Sequence, residues 1–433
     1  MTAIWPHMTA SHSAVRGEYK QRPEDFRVEE VPAYETSNEG EHVFFEIEKR
    51  GLSTHEALER MARALGVAPR AFGIAGLKDA QGVTRQHISV QGFEPAAIEA
   101  LALRDMRVLW ARKHRNKLRI GHLRGNRFVI RLRNVDVQAL DAARASLDEL
   151  VRRGVPNYFG EQRFGMRGDT WRVGRALLLG DLGEAVAWIA GRPGPHDTGR
   201  VRRARELFEA GEFEHAAEAW PGGFRTCIRL CRSMAKSAGN PKRALYVLDR
   251  SLQRFYTSAY QSWLFNQVVA ARIDELDRVL EGDLAWLHRN GAVFLVKDLA
   301  VDAPRASALE ISASGPLFGR RMSRPIGRAL ELELAVLAGA GHSEEAFARP
   351  GPLQWQGARR PLRFPLAEAG VTAGDDEHGA FFELRFVLPP GCYATAVLRE
   401  MLKHGDVDEA LVGDTSAALE TDAALEVEAE LEE

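Results

Sequence analysis

Apolar and polar positions alternate over several stretches of the chain, and two periods divide it. Phe26, Val28 and Glu30 alternate with charged neighbours, and His42-Val43-Phe44-Phe45-Glu46-Ile47 reads as a second strand. Ser53 followed by Glu56 is a capping box, which predicts a helix through about Leu65. Arg85 to Gln91 is again strand-like. Leu118, Ile120 and His122, then Phe128, Ile130 and Leu132, predict a hairpin around Arg124-Gly125-Asn126, its other face carrying Arg119, Arg127, Arg131 and Arg133. From about Gly154 the period becomes helical. Arg175 to Ala185 is echoed by Glu206 to Ala216, each copy reading as helix, tight turn at Gly, helix. One long helix is expected from about Pro241 to Arg272, with Leu248, Leu252, Phe255, Ala259 and Trp263 on one stripe. Strand-like text returns at 283–298 and 331–336, and Phe382, Leu384, Phe386 and Leu388 alternate before Pro389-Pro390-Gly391. A short helix follows over Thr395 to His404.

Strand-rich ends around a helical middle imply an α+β fold in which one mixed-sheet domain is interrupted by an inserted second one. The expected division is 1–153 and 366–412 for the first domain, 154–365 for the insertion, and 413–433 for an acidic tail.

Composition sharpens the partner class. The formal charge of −2 averages unlike regions: Asp414 to Glu433 holds eight acidic residues and no basic one, and without them the charge becomes +6. Such a tail is expected to be solvated and disordered. Arg112 to Arg133 holds nine Lys or Arg and no acid, the footprint of a polyanion partner such as nucleic acid. No apolar run approaches the roughly 18 residues of a membrane span, and the N-terminus lacks the order of a secretory signal. Three cysteines (Cys227, Cys231, Cys392) make no disulfide framework, so a reducing, cytoplasmic setting is expected.

Motifs for phosphate loops, dinucleotides, zinc proteases and serine hydrolases are absent. Phe72 to Gln86 delivers Lys78 and Asp79 from a small-residue run. Asp79 there is either a turn-closing residue or a carboxylate displayed as nucleophile or base. Asn126 and Phe128 read either as turn and core, or as a base-edge contact with a stacking ring. In Lys20-Gln-Arg-Pro-Glu-Asp-Phe26, Pro23 fixes an extended entry and Glu24 and Asp25 are expected to be solvated. Gly154 to Gly165 reads as a packed inter-domain loop in which Asn157, Gln162 and Arg163 form a hydrogen-bonding network.

These segments, with Ala259-Tyr-Gln-Ser-Trp-Leu-Phe-Asn266 and Pro390-Gly-Cys-Tyr-Ala-Thr395, stand in the order of the TruD family of tRNA pseudouridine synthases, which the chain resembles from about Lys20 to Asp406. Any one motif is weak; six in order are specific. The resemblance implies a pseudouridine-synthase sheet interrupted by the family's inserted domain, and isomerisation of a uridine in tRNA, at position 13 in bacterial members, without a cofactor. It implies Asp79 as nucleophile, Lys20 as its basic partner, and Phe26, Asn126, Phe128 and Tyr393 around the substrate. Arg112, Lys113, Arg115, Lys117, Arg119 and Arg127 would contact phosphates. A monomer is expected. Tyr393 stands where members can carry Phe, Ala80 and Gly82 depart from the usual residues after the Lys-Asp pair, and 171–240 is longer than in short members. Two rivals are a non-catalytic RNA-binding protein and a glycosidase-like hydrolase. The hydrolase would need a second carboxylate, for which Glu30 and Glu161 are the candidates.

Overall fold

The computed structural model describes residues 5–78, 80–165, 167–348 and 355–403, except the side chains of Glu161 and Gln162. The chain forms two compact units, one from 8–155 with 364–403, the other from 5–7 with 156–363.

The first unit is built on a nine-stranded sheet: β1 (Phe26–Pro32), β2 (His42–Arg50), β3 (Gly73–Ile74), β4 (Val83–Gln91), β5 (Ala102–Leu103), β6 (Met106–His114), β7 (Leu123–Arg133), β8 (Ala367–Asp376) and β9 (Gly379–Leu388). The order is β8-β9-β7-β1-β4-β2-β6-β5, with β3 on β4. Every pairing is antiparallel except β1 with β4, which runs parallel over Arg27–Glu29 against Val83–Arg85. β1 and β3 therefore share one edge of β4, and the sheet splits between them. Helices cover one face. Ser53 caps the helix Thr54–Leu65 reciprocally with Glu56, and Ala57, Leu58, Met61 and Ala62 pack with Val43, Phe45, Ile47, Ile88 and Val90.

The expected hairpin at 118–132 does not form. Arg124-Gly125-Asn126 lies inside β7, between β1 and β9, with Gly125 opposite Val31 and Asn126 opposite both Glu30 and Leu388. A Cβ on Gly125 would lie 2.3 Å from the Leu388 carbonyl oxygen, so this glycine admits a neighbouring strand rather than a turn. Arg119 consequently lies outside the strand whose face it was expected to share.

The second unit is mainly helical. Helices Thr170–Leu179 and Leu182–Ala190 join at Gly180, and Gly199–Glu209 and Phe213–Ala219 join across Gly211. Both glycines are left-handed, with φ of 76° and 78°, the conformation a tight helix stop requires. The long helix expected from Pro241 is two: Pro241–Leu245, then Arg250–Ala271, restarted where the Asp249 side chain accepts from Leu252 N at 2.8 Å. The stretch 331–336 lies in the helix Gly327–Gly339, not in a strand. Its Leu-Glu alternation imitates period two, but these are strong helix formers, and Ala329, Glu333 and Leu337 bury one helical stripe. A four-stranded sheet of Leu284–Leu287, Val293–Leu295, Ile311–Leu317 and Ala358–Pro361 completes the unit.

In the same unit two of the sequence motifs clasp each other. Asn266 Oδ1 accepts from Phe159 N at 2.8 Å while its Nδ2 donates to Phe159 O at 3.0 Å. Asn157 donates to Pro361 O and accepts from Arg360, both at 2.8 Å, and Arg163 donates to Ser262 Oγ. Asn157 and Arg163 are thus each hydrogen-bonded, to different segments of this unit.

Candidate active site

The Lys20–Phe26 motif enters the sheet through the short helical turn Pro23–Asp25. Asp25 is fully buried rather than solvated. Its Oδ1 accepts from Arg133 Nη2 at 2.6 Å and Nε at 3.1 Å, and Arg133 Nη1 donates to Asp376 at 2.6 Å. Hydrogen bonds to Asp376 and then to Asp25 outweigh burial and push the Arg133 guanidinium pKa up. Glu24 pairs with Arg50 at 2.5 Å. Lys20 takes φ of +61° and holds its Nζ 4.7 Å from the centre of the Phe26 ring, a cation–π contact.

Phe26, Val28 and Glu30 share the sheet face of Asn126 and Phe128, since directly paired residues point the same way. Phe128 lies 6.2 Å from Phe26 edge-on and 5.5 Å from Phe386 at a tilt, and is buried. Asn126 Oδ1 is buried with no partner. Tyr393 is half-buried at the N-cap of the helix Ala394–Leu402, five residues beyond Leu388, which pairs with Asn126. Lys20, Phe26 and Phe128 are thus brought together, with Asn126 on the same sheet face.

Asp79 lies outside the described residues, but the chain on either side of it is firmly held. Lys78 Nζ donates to Glu30 Oε1 at 2.7 Å, with both side chains almost wholly buried. Glu30 Oε2 accepts the His87 backbone N–H at 2.8 Å. That amide faces the split between β1 and β3, so the carboxylate stitches an edge that lacks a strand partner there. Burial alone would raise the Glu30 pKa; the Lys78 charge and the His87 and Lys78 hydrogen bonds reverse this and lower it. Lys78 N donates to Thr54 Oγ1 at 2.8 Å, which donates to Gln86 Oε1 at 3.0 Å, and Gln86 Nε2 donates to Gly76 O at 3.0 Å. On the far side, a Cβ on Gly82 would lie 2.5 Å from Phe26 O, so the glycine lets the corner close against β1.

Glu30 had been a candidate only as a second hydrolytic carboxylate. Saturated by Lys78 and His87 and held ionised, it is an anchor, without the proton a general acid carries. The sequence signal for it was faint: an acid at a strand position whose neighbours Phe26 and Val28 are core. The Glu161 side chain lies outside the described residues.

The six basic residues do not form one cluster. Arg115, Lys117 and Arg119 line a cleft of about 450 Å³ with His42, Asn116 and His122. Arg112 lines a neighbouring one of about 340 Å³ with Tyr34, Trp110 and His122. Lys113 pairs with Glu94, Arg115 with Glu39 and Arg127 with Glu368, while Lys117 donates to Arg70 O.

The family model for tRNA pseudouridine synthase D (TruD) matches residues 6–401. The chain belongs to the TruD family of tRNA pseudouridine synthases. TruD proteins of Geotalea daltonii and Geobacter sulfurreducens are each 46% identical to it, over 92% of this chain and 99% and 96% of theirs. The crystal structure of a TruD protein from Methanosarcina mazei superposes with a TM-score of 0.82 at 28% identity, covering 93% of this chain and 97% of that one. Membership in TruD carries the reaction class, isomerisation of uridine to pseudouridine. Among the described residues no helix is long and apolar enough to cross a membrane.

Proposed function

We propose that this TruD protein isomerises the uridine at position 13 of tRNA, acting in the cytoplasm as a monomer, with Asp79 as its nucleophile. What carries the reading is the corner around that residue. Lys78 is locked to Glu30 and Thr54, and Gly82 abuts Phe26, so the chain is held on both sides of Asp79. A nucleophile needs such placement, because misplacement by an ångström costs orders of magnitude in rate.

The reaction breaks the bond from ribose C1′ to N1 of uracil, turns the base, and joins C1′ to C5; the C5 proton ends on a ring nitrogen, so atoms and electrons balance without a co-reactant. The Asp79 carboxylate serves as covalent nucleophile, at the sugar or at the pyrimidine ring. Lys20 is its basic partner. Phe26, Phe128 and Tyr393 line the base pocket, and the unpartnered Asn126 Oδ1 accepts a hydrogen bond from the base. Arg112, Lys113, Arg115, Lys117, Arg119 and Arg127 engage the RNA backbone, and the ion pairs at Lys113, Arg115 and Arg127 open as phosphate replaces carboxylate. Extruding the base costs a few kcal/mol, offset in part by aromatic contact.

Asp79→Asn is expected to abolish pseudouridine formation on tRNA while leaving tRNA affinity within about threefold, measured by nucleoside analysis and filter binding. Turnover retained in that variant would overturn the assignment.

A further inference from the structure

From Arg225 to Leu248 the chain carries six Lys or Arg and no acid. The helix Arg225–Lys236 turns Cys227, Leu230, Cys231 and Met234 into the core of the helical unit. Arg225, Arg229, Arg232 and Lys236 follow at spacings of four, three and four, so they form one exposed stripe on the opposite side. The chain then reverses through Ala238 and Gly239, both at positive φ, into the short helix Pro241–Leu245. That helix lies back along the first: Ser233 Oγ donates to Arg243 O, and Arg229 Nη2 donates to Val247 O at 2.6 Å. Lys242 and Arg243 are exposed there, and Tyr246 is 76% exposed, the highest value among the exposed large hydrophobic side chains described.

None of these six cations is in an ion pair among the described residues. This contrasts with Lys113, Arg115 and Arg127 in the sheet unit, each neutralised by a carboxylate. Six like charges held on one small surface without internal compensation repel one another, and a surface of this kind is relieved by a polyanion. Stable seating on an anionic membrane draws on apolar side chains beside the charges, and among the exposed large hydrophobic side chains described Tyr246 alone belongs to this segment. Regularly spaced cations with one exposed aromatic ring fit a nucleic-acid backbone with an accessible base or ribose beside it.

We propose that the face formed by Arg225, Arg229, Arg232, Lys236, Lys242 and Arg243, with Tyr246, is an RNA-backbone docking surface that holds a part of the tRNA beyond the nucleotides around the target uridine. The proposal rests on the reading of the chain as a tRNA-modifying enzyme and adds a second contact to it. These positions raise affinity for whole tRNA without reading sequence, since phosphate contacts position but do not specify.

The test uses the full chain, an unmodified tRNA transcript, and a short RNA hairpin containing only the target uridine and its flanking stem. Arg225→Glu, Arg232→Glu and Lys236→Glu are combined in one variant, and the corresponding three Gln substitutions in a second, with melting curves as the check on folding. Affinity is measured across salt concentrations. For tRNA the slope of log affinity against log salt should become shallower by about two to three, one increment per lost phosphate contact, and KM should rise at least tenfold. For the hairpin neither quantity should change. Tyr246→Ala should weaken tRNA binding severalfold with the salt slope intact. An unaltered tRNA slope and KM in both triple variants would overturn the surface, as would equal losses on tRNA and hairpin. Pseudouridine formation by the wild-type chain is scored separately: its absence defeats the enzymatic reading, whereas its presence with an unaltered slope defeats only the docking surface.

Discussion

At the residue scale, the ion pair of Glu30 with Lys78 is nearly sealed from water, and removing one partner leaves the other charge buried and alone. Such a break costs about 3–5 kcal/mol. Glu30→Gln should therefore lower the urea midpoint at pH 7 substantially and loosen the chain at Lys78, beside the proposed nucleophile, depressing turnover more than tRNA affinity. The acid limb gives an independent check. The Glu30 pKa is lowered in the folded state, so its contribution is full above the unfolded carboxylate value and is lost as pH falls through the folded one. The gap between wild type and Glu30→Gln should accordingly shrink on acidification. A gap of equal size at pH 7 and in strong acid would show that the ionised pair is not what anchors the corner. The thiols give a second residue-scale outcome. Cys227 and Cys231 are buried, and burial raises the Cys231 pKa to about 12. In the native protein neither should react with a disulfide reagent, and both should after denaturation. Residue types were legible here in proportion to their rarity in context. Lys20, Asp79 and Asn126 stood out within recognisable motifs. Glu30 did not, because its partner Lys78 lies 48 positions away and an acid in an alternating strand reads as solvent-facing.

At the scale of single elements, local signals were reliable where the backbone itself demanded a residue. The capping box at Ser53 and the left-handed glycines 180 and 211 each marked a boundary. Signals failed where a tertiary neighbour supplied the reason. Gly125 looked like a turn because glycine permits turns, yet it is small for the sake of β9; nothing within ten residues announces that strand. The break at 246–249 was hidden because Leu248, Leu252 and Phe255 keep helical spacing across it. Gly174 extends the lesson to helix packing. A Cβ there would lie 2.2 Å from Tyr256 O and 2.8 Å from Tyr260 Cβ, because Thr170–Leu179 packs closely against Arg250–Ala271. Helix propensity favours alanine over glycine by about 1 kcal/mol, but overpacking costs about 1–3 kcal/mol or more. Gly174→Ala should thus lower the melting temperature despite its better propensity, whereas a stabilised variant would mean the two helices can part without cost.

At the scale of the whole chain, the nine-stranded sheet draws strands from both ends of the sequence: β7 pairs with β9 across some two hundred and fifty positions, Arg131 opposite Glu383. The unit between them is closed on itself where it begins and ends, since Asn157 N donates to Leu362 O at 2.9 Å. Its entry and exit are therefore adjacent, so a short connection can replace it without stretching the sheet strands. Shortening the loop between β7 and β8 from roughly 230 residues to about 30 should cut its closure cost by about 2 kcal/mol, and lower contact order should speed folding. We expect a chain in which residues 158–361 give way to a four-residue Gly/Ser linker to keep a cooperative unfolding transition with the sheet's far-ultraviolet signature and to refold faster. It should also bind tRNA with a shallower salt dependence, because the unpaired cations of Arg225 to Arg243 are gone. Stopped-flow refolding and salt-dependent binding read the two effects separately. Slower refolding would mean that the inserted unit nucleates the sheet rather than merely interrupting it, and an unchanged salt slope would place all of the phosphate contacts on the sheet unit.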